Sequence, residues 1–331
     1  MNLLDNLIWH MKMEGIFYPV WAILYKCGII SNIKYQGHRN KRWDKHIAEK
    51  KRKNENYRNE VEGWIKYCMP DKVSYDLDCP KTFNEKIQWL KIYDATPLKT
   101  KLVDKYAVRD WVADKIGNEH LIPLAYESAV WDNANDIDFA KLPTQFVLKA
   151  NHGSGMNLIV KDKNTIDKNA TRKIAQQWLN TTYGWFGFET QYFAVPRKII
   201  AEKYMKELDG NLLDYKVFCF NGDPQFFQII GNRDLVKHTG KMSFYDLDWN
   251  LLEFDSGDYP LYDKLLERPS NLDEMIRIAR TLADGFKFVR VDLYDIDGKI
   301  YFGEMTFTPG NGILPWHPMS INEELGKLIE L

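Results

Sequence analysis

The residue types best suited to chemistry lie near the carboxy-terminal end of this 331-residue chain. Asp292 and Glu304 bracket the run LYDIDGKIYFG, whose turn at residues 295–298 reads as an antiparallel hairpin. In such a hairpin the two carboxylates fall opposite or diagonal to each other, roughly 4.5 to 8 Å apart. Carboxylates that close either repel or share a cation, and Mg²⁺ completed by substrate phosphates suits one or two of them. A glycosidase-like acid and base would use a similar pair. An exposed acidic hairpin is the reading without chemistry, which the apolar flanking residues disfavour.

Two further strings could act on a nucleotide. Residues 151–156 (NHGSGM) lie between β-like runs, and Gly153 and Gly155 would let the backbone approach a phosphate closely. Lys149, in the strand just before, could put its ammonium on the same group. A Walker A loop would need Gly-Lys-Ser/Thr and a following helix, so the string is a hairpin flap. Ser154 lacks the strand-to-helix setting of a nucleophile elbow. Residues 198–205 (KIIAEKYM) form an apolar strand ending in Glu202, Lys203, Tyr204 and Met205, which can bond an adenine amine and sandwich its ring. Asp209, seven residues after Glu202, could bond ribose hydroxyls. Taken singly, each string also has a plain reading: a glycine turn, and a strand with a charged end.

The elements that must position these residues are short and mixed. Residues 81–93 place Phe83, Ile87 and Leu90 on one helical face, with Thr82 and Glu85 at capping-box spacing. Residues 103–116 read as a second helix stopped by Gly117, and further helices are expected near 168–180 and 271–284. Strands are expected at 145–149, 157–161, 198–202, 215–220, 225–230, 289–294 and 299–305, with hairpin turns at Asn221-Gly222 and Asp297-Gly298. The class is therefore α+β with antiparallel sheets.

Composition bounds the function. A chain of this length holds about two structural units, at about 150 residues each. With 45% hydrophobic and 27% charged residues it is globular rather than disordered. A net charge of -1 supplies no global field for nucleic acid. The four cysteines form no C-x-x-C, which argues against a disulfide framework or a zinc site and fits a reducing cytoplasm. Aromatic residues make up 14%, which cores explain more simply than sugar binding does. Residues 16–30 form an apolar run that is too short and too interrupted to span a bilayer, and a basic stretch follows at 34–58. The pair is either a buried helix beside a solvated one or a device for lying on an anionic membrane surface.

The ordered set FVLKANHGSG, IIAEKYM, DYKVFCFNG, FVRVDLYD and IYFGEMTFTPGNG resembles an ATP-grasp enzyme. With PKTFNEKIQWLKIYD and LVDKYAVRDWV before it, the chain is similar to the TupA-like branch over residues 78–331. The resemblance implies two α+β subdomains gripping ATP between antiparallel sheets, behind a helical amino-terminal extension. The expected divisions are 1–77 for the extension, 78–143 for a preceding lobe, 144–206 for the small subdomain and 207–331 for the large one. It further implies that Lys105, Lys149 and the Gly153, Ser154, Gly155 flap hold the phosphates. Glu202, Lys203, Tyr204 and Met205 become the adenine hinge and Asp209 the ribose acid. Lys216 and Arg290 would act on the transferred phosphoryl group, with Asp292 and Glu304 on Mg²⁺. Where many relatives carry Glu-x-Asn, this chain has Thr306, leaving Thr306 or Asn311 to complete the metal site.

The implied activity is ATP-dependent joining of a carboxylate, on a bacterial surface glycan, to an amine through an acyl phosphate. It would take place in the cytoplasm, at the inner face of the membrane if residues 16–58 bind there. The competing reading is a glycosyltransferase using a nucleotide-sugar, for which Asp295-Ile-Asp297 spells an Asp-x-Asp. A non-enzymatic nucleotide sensor is disfavoured by the simultaneous presence of Lys149, Lys216, Arg290 and both carboxylates.

Overall fold

The computed structural model describes residues 8, 11, 18–27, 32–68, 75–185, 187–205, 212–234 and 239–331. Helices α1 (Tyr18–Lys26), α2 (Asn32–Lys53) and α3 (Arg58–Cys68) form the amino-terminal extension. It is partly built into the body, because Trp43 and Ile47 of α2 and Val61, Trp64 and Ile65 of α3 share a core with Ile92, Trp185 and Phe188. Lys50 is buried in the same seam, and Glu60 lies 2.9 Å from it, as a buried charge requires. In contrast, α1 leaves Val20 and Ile23 more than half exposed, at 52% and 58%. Among the described residues no helix is long and apolar enough to cross a membrane.

Helix α4 (Phe83–Tyr93) starts where its capping box places it, Thr82 Oγ1 accepting from the Glu85 amide and Glu85 Oε2 accepting from the Thr82 amide. The single helix expected over 103–116 is a correction: α5 (Pro97–Val103) and α6 (Val108–Ile116) are separate. The chain turns at 104–107 because Asp104 Oδ1 accepts from the amides of Tyr106 and Ala107, at 2.8 and 3.1 Å. That local competition for backbone donors outweighs the helical periodicity.

Strands β1 (Val130–Trp131), β2 (Phe146–Ala150), β3 (Asn157–Val160) and β4 (Ile199–Lys203) make an antiparallel sheet in the order β1-β4-β2-β3. Between β3 and β4, helix α7 (Lys168–Leu179) packs Ala175 and Leu179 against Phe146, Leu148 and Ala201. The opposite face of that sheet carries Lys149 and Glu202.

A larger antiparallel sheet follows, from β5 (Asp214–Phe220), β6 (Asp223–Asp234), β7 (Thr239–Asp246), β8 (Leu251–Leu252), β9 (Phe288–Ile296) and β10 (Lys299–Thr306), in the order β10-β9-β5-β6-β7-β8. Helix α8 (Leu272–Ala283) precedes β9, and α9 (Ser320–Lys327) ends the chain. Alternation divides the sheet. Val217, Cys219, Val289 and Val291 point to a core closed by Met275, Ile278 and Leu282 of α8. Phe218, Phe220 and Phe288 point the other way, to Phe83 and Ile87 of α4 and to Trp316. Further along that second face the same alternation presents Asp214, Lys216, Arg290 and Asp292. The expected strands are present to within a few residues, while β1, β7 and β8 were not expected.

Candidate active site

Glu304, Asp292 and Lys216 stand in one row across three strands, since Asp292 pairs with Glu304 of β10 on one side and with Lys216 of β5 on the other. Of the two expected placements of the carboxylates, the observed one is directly opposite. It depends on a bulge between Phe302 and Glu304. Before the bulge Ile300 and Phe302 face the α8 core, and after it Met305 and Phe307 do, so the parity of the strand changes at Gly303. A Cβ on Gly303 would stand 3.0 Å from both the Asp292 carbonyl oxygen and the Tyr294 ring.

Every charge in this row is compensated. Lys216 Nζ donates to Asp292 Oδ2 at 2.5 Å, and Arg290 donates to both oxygens of Asp292 at 2.7 and 2.8 Å. Lys105 Nζ donates to Glu304 Oε2 at 3.0 Å. Burial would raise the Glu304 pKa, yet Lys105, Lys216 and Arg290 together hold it far below the usual carboxylate range. Burial would likewise lower Arg290, but Asp292 and Glu304 keep the guanidinium charged. Thr306 Oγ1 accepts from Arg290 at 3.1 Å and faces Glu304 Oε1 at 3.4 Å. Asn311 differs: its carbonyl accepts from Lys91, and its side chain lies against Gly187. Thr306 therefore accompanies the carboxylate pair and Asn311 does not.

The smaller sheet supplies the facing wall. Lys149 pairs with Ile200, so Glu202 is its diagonal neighbour, and Lys149 Nζ donates to Glu202 Oε2 at 2.5 Å. Arg109 lies 3.7 Å from the other oxygen of Glu202. The flap between β2 and β3 is anchored at its base and free at its tip. Asn151 Nδ2 donates to Asp104 Oδ1 and to the Pro196 carbonyl, both at 2.8 Å, while Asn151 Oδ1 accepts from the Lys198 amide at 2.7 Å. The Asn151 carbonyl also accepts from the Lys105 amide at 3.0 Å, so one asparagine ties the flap to the α5–α6 turn and sets Lys105 at its foot. His152 is buried with Nε2 against the Trp178 and Thr181 carbonyls, and burial lowers its pKa to about 4. Ser154 and Gly155 are exposed, and Gly155 has φ +72°, a backbone conformation open to glycine.

These walls enclose a cleft of about 690 Å³. Its lining brings together Lys105, Lys149, the flap residues Gly153, Ser154 and Gly155, and Glu202 with Lys216, Arg290, Asp292 and Glu304. Lys203, Tyr204 and Met205 follow at the end of β4 and are not in the lining, and Asp209 lies outside the described residues. Asp295 and Asp297, at the far turn of the β9–β10 hairpin, are not in it either. Sequence reasoning missed Arg109, Asp214, Arg233, Asp258 and Tyr259, which also line it. Asp214 sits two residues before Lys216 in β5, a spacing that puts both on one face of the strand, whereas Arg109 lies at the start of α6, just after the turn that holds Lys105. Arg233, which donates to Asp214 Oδ2 at 2.6 Å, lies within the irregular stretch of β6 between Gly231 and Asp234 and had no local signal.

Among the described residues no group of three or more His, Cys, Asp or Glu gathers as a metal cage. The Asp292–Glu304 pair offers only two carboxylates, a partial all-oxygen donor set of the kind that Mg²⁺ accepts where phosphate oxygens complete its shell.

A family model described as TupA-like ATPgrasp matches residues 85–330. Among solved structures, the chain is similar to D-alanine–D-alanine ligase from Bacillus anthracis complexed with ATP, at 18% identity over 62% of this chain and 54% of that one, with a TM-score of 0.32. It is similar to phosphoribosylamine–glycine ligase from Thermotoga maritima at 15% identity, covering 69% and 53%, with a TM-score of 0.38. For L-amino acid ligase from Bacillus licheniformis the values are 15% identity, 77% and 56%, and a TM-score of 0.41. The chain thus spans little more than half the length of these proteins. No curated protein matches it.

Proposed function

The chain belongs to the TupA-like ATP-grasp family, and from that premise we propose that it is an ADP-forming ligase that joins a carboxylate, carried by a surface glycan, to an amine. The observation that carries this reading is the row Glu304–Asp292–Lys216, flanked by Arg290 and faced by Lys149 beneath the flap. Lys105 and Lys149 would hold the nucleotide phosphates. Lys216 and Arg290 would then meet the phosphoryl group as its charge spreads over three oxygens on the way to an acyl phosphate. Mg²⁺ held by Asp292 and Glu304 would neutralise part of that charge.

The charge inventory supports a requirement for the metal. The cleft is lined by six cations (Lys105, Arg109, Lys149, Lys216, Arg233 and Arg290) and five carboxylates (Glu202, Asp214, Asp258, Asp292 and Glu304). A triphosphate brings more negative charge than one spare cation offsets, so nucleotide binding should weaken sharply when EDTA removes divalent cations. MgATP at about 100 times its dissociation constant should stabilise the protein by roughly 2.7 kcal/mol in a thermal-shift assay. Stabilisation by UDP-sugars and not by MgATP would replace this reading with the transferase. Turnover is read as ADP release with uronic acids and amino acids, and Lys149→Ala and Glu304→Ala should each lose about 100-fold or more while remaining folded.

The same reading assigns α1 and α2 to an anionic lipid surface, where a lipid-linked glycan precursor would sit. It is supported by the exposure of Val20, Ile23 and Tyr25 of α1 and of the basic Lys41, Arg42, Lys45, Lys51 and Arg52 of α2.

A further inference from the structure

Each carboxylate of the cleft wall is held by a cation, with one exception. Glu202 is paired with Lys149, Asp214 with Arg233, Asp292 with Lys216 and Arg290, and Glu304 with Lys105. Asp258 lines the same cleft with no ion pair within 4 Å among the described residues. Its one hydrogen bond there is from Ser256 Oγ, at 3.0 Å to Oδ2, and that serine accepts from Gln228 Nε2 at 3.2 Å. Gln228 is the cross-strand partner of Lys216. The side-chain chain Gln228–Ser256–Asp258 therefore extends the row Glu304–Asp292–Lys216 by one more strand, and Asp258 stands beyond Lys216 on the side away from the carboxylate pair.

We propose that Asp258 forms the subsite for the amine substrate, binding it as an ammonium ion and taking its proton. The proposal rests on the ligase reading above and adds the position of the second substrate. With a phosphoryl group held at Glu304, Asp292 and Lys216 and the activated carbonyl beside Lys216 and Arg290, the Asp258 end of the row is left for the nucleophile. Asp258 is exposed within the cleft, so an entering ammonium ion can reach it without displacing an ion pair. Although its side chain meets solvent in the cleft, the surrounding walls partly desolvate Asp258 and raise its pKa against the bond from Ser256 and the pull of Arg290 and Lys216, which makes it the better base.

The step balances as follows. The bound ammonium gives one proton to the Asp258 carboxylate, and the freed lone pair forms the N–C bond to the acyl carbon. The C–O bond to the phosphoryl group breaks with its electron pair on the departing phosphate, which takes the second proton lost from nitrogen. The products are an amide, hydrogen phosphate and a protonated Asp258.

Hydroxylamine tests this, because it is uncharged at neutral pH and needs no base before it attacks. Glucuronic and galacturonic acid serve as carboxylate probes with MgATP, and either the standard L-amino acids or hydroxylamine as acceptor. Asp258→Asn is expected to lower kcat/KM for the amino acid acceptor about 100-fold, chiefly through KM, and to lower hydroxamate formation at least tenfold less. Asp258→Glu, which keeps the charge, should recover part of the loss and carries the test if the asparagine variant does not fold. Equal loss with both acceptors, or an amino acid kcat/KM within about threefold of wild type, would overturn the subsite. Wild-type protein that forms neither ADP nor hydroxamate would overturn the ligase reading itself, and this inference with it.

Discussion

At the residue scale, the same functional groups acquire different duties from their surroundings. Asp292 and Asp258 line one cleft, yet the first is clamped by Lys216 and Arg290 while the second keeps its charge free for a ligand. His152 shows the same dependence in the opposite sense. Its placement under the flap favours the neutral imidazole, with a pKa near 4 in the fold against an ordinary value of 6.5. Because the unfolded chain binds the proton more readily, this contribution is complete above pH 6.5 and is lost as the pH falls toward 4. At pH 5 the loss amounts to about 2 kcal/mol. Acid melts should show it: the stability gap between wild type and His152→Gln should narrow between pH 7.5 and pH 5. A gap that stays constant would mean that the imidazole is not the titrating group.

At the element scale, the site is made by irregularities as much as by strands. The capping box of α4, the hairpin turns and the flap are legible from neighbouring residues, because each is closed by contacts a few positions apart. The Asp104 turn that splits α5 from α6 is not, since the periodicity runs through it and only the Asp104–Asn151 bond explains where Lys105 must stand. The bulge at Gly303 is similar. Without it Gly303 would oppose Asp292, and Glu304 would turn toward the α8 core. A methyl there meets the Asp292 carbonyl and the Tyr294 ring, so Gly303→Ala should cost about 1 to 3 kcal/mol of stability. It should also cut turnover at least tenfold by moving Glu304. An alanine variant with unchanged activity and melting temperature would show that the register does not depend on the glycine.

At the scale of the whole molecule, the extension is both a structural and a proposed membrane element. Its inner half packs Trp43, Ile47 and Trp64 into the body, so deleting residues 1–60 should destabilise the protein. Substituting Val20 and Ile23 by serine should not, because both are more than half exposed. The basic side chains of α2 each contribute about 1 kcal/mol near an anionic surface, less what Asp44 and Glu49 subtract. The expected result in co-sedimentation is binding to anionic vesicles that falls with salt and is reduced by the double serine variant. Equal pelleting with neutral vesicles, or no effect of the serines, would remove the membrane role.

The sequence by itself determined the α+β class, the capped helix, the hairpins and the residues most able to handle phosphate, because alternation, capping and turn chemistry act over a few positions. It also carried the family, through the order of those strings. Only the tertiary structure decided that Asp292 faces Glu304 directly, that Lys149 lies diagonal to Glu202, and that Asp258 and Arg233 reach the same cleft. Those facts depend on strand register and on partners tens of residues apart, and a one-residue slip would send every such side chain to the opposite face.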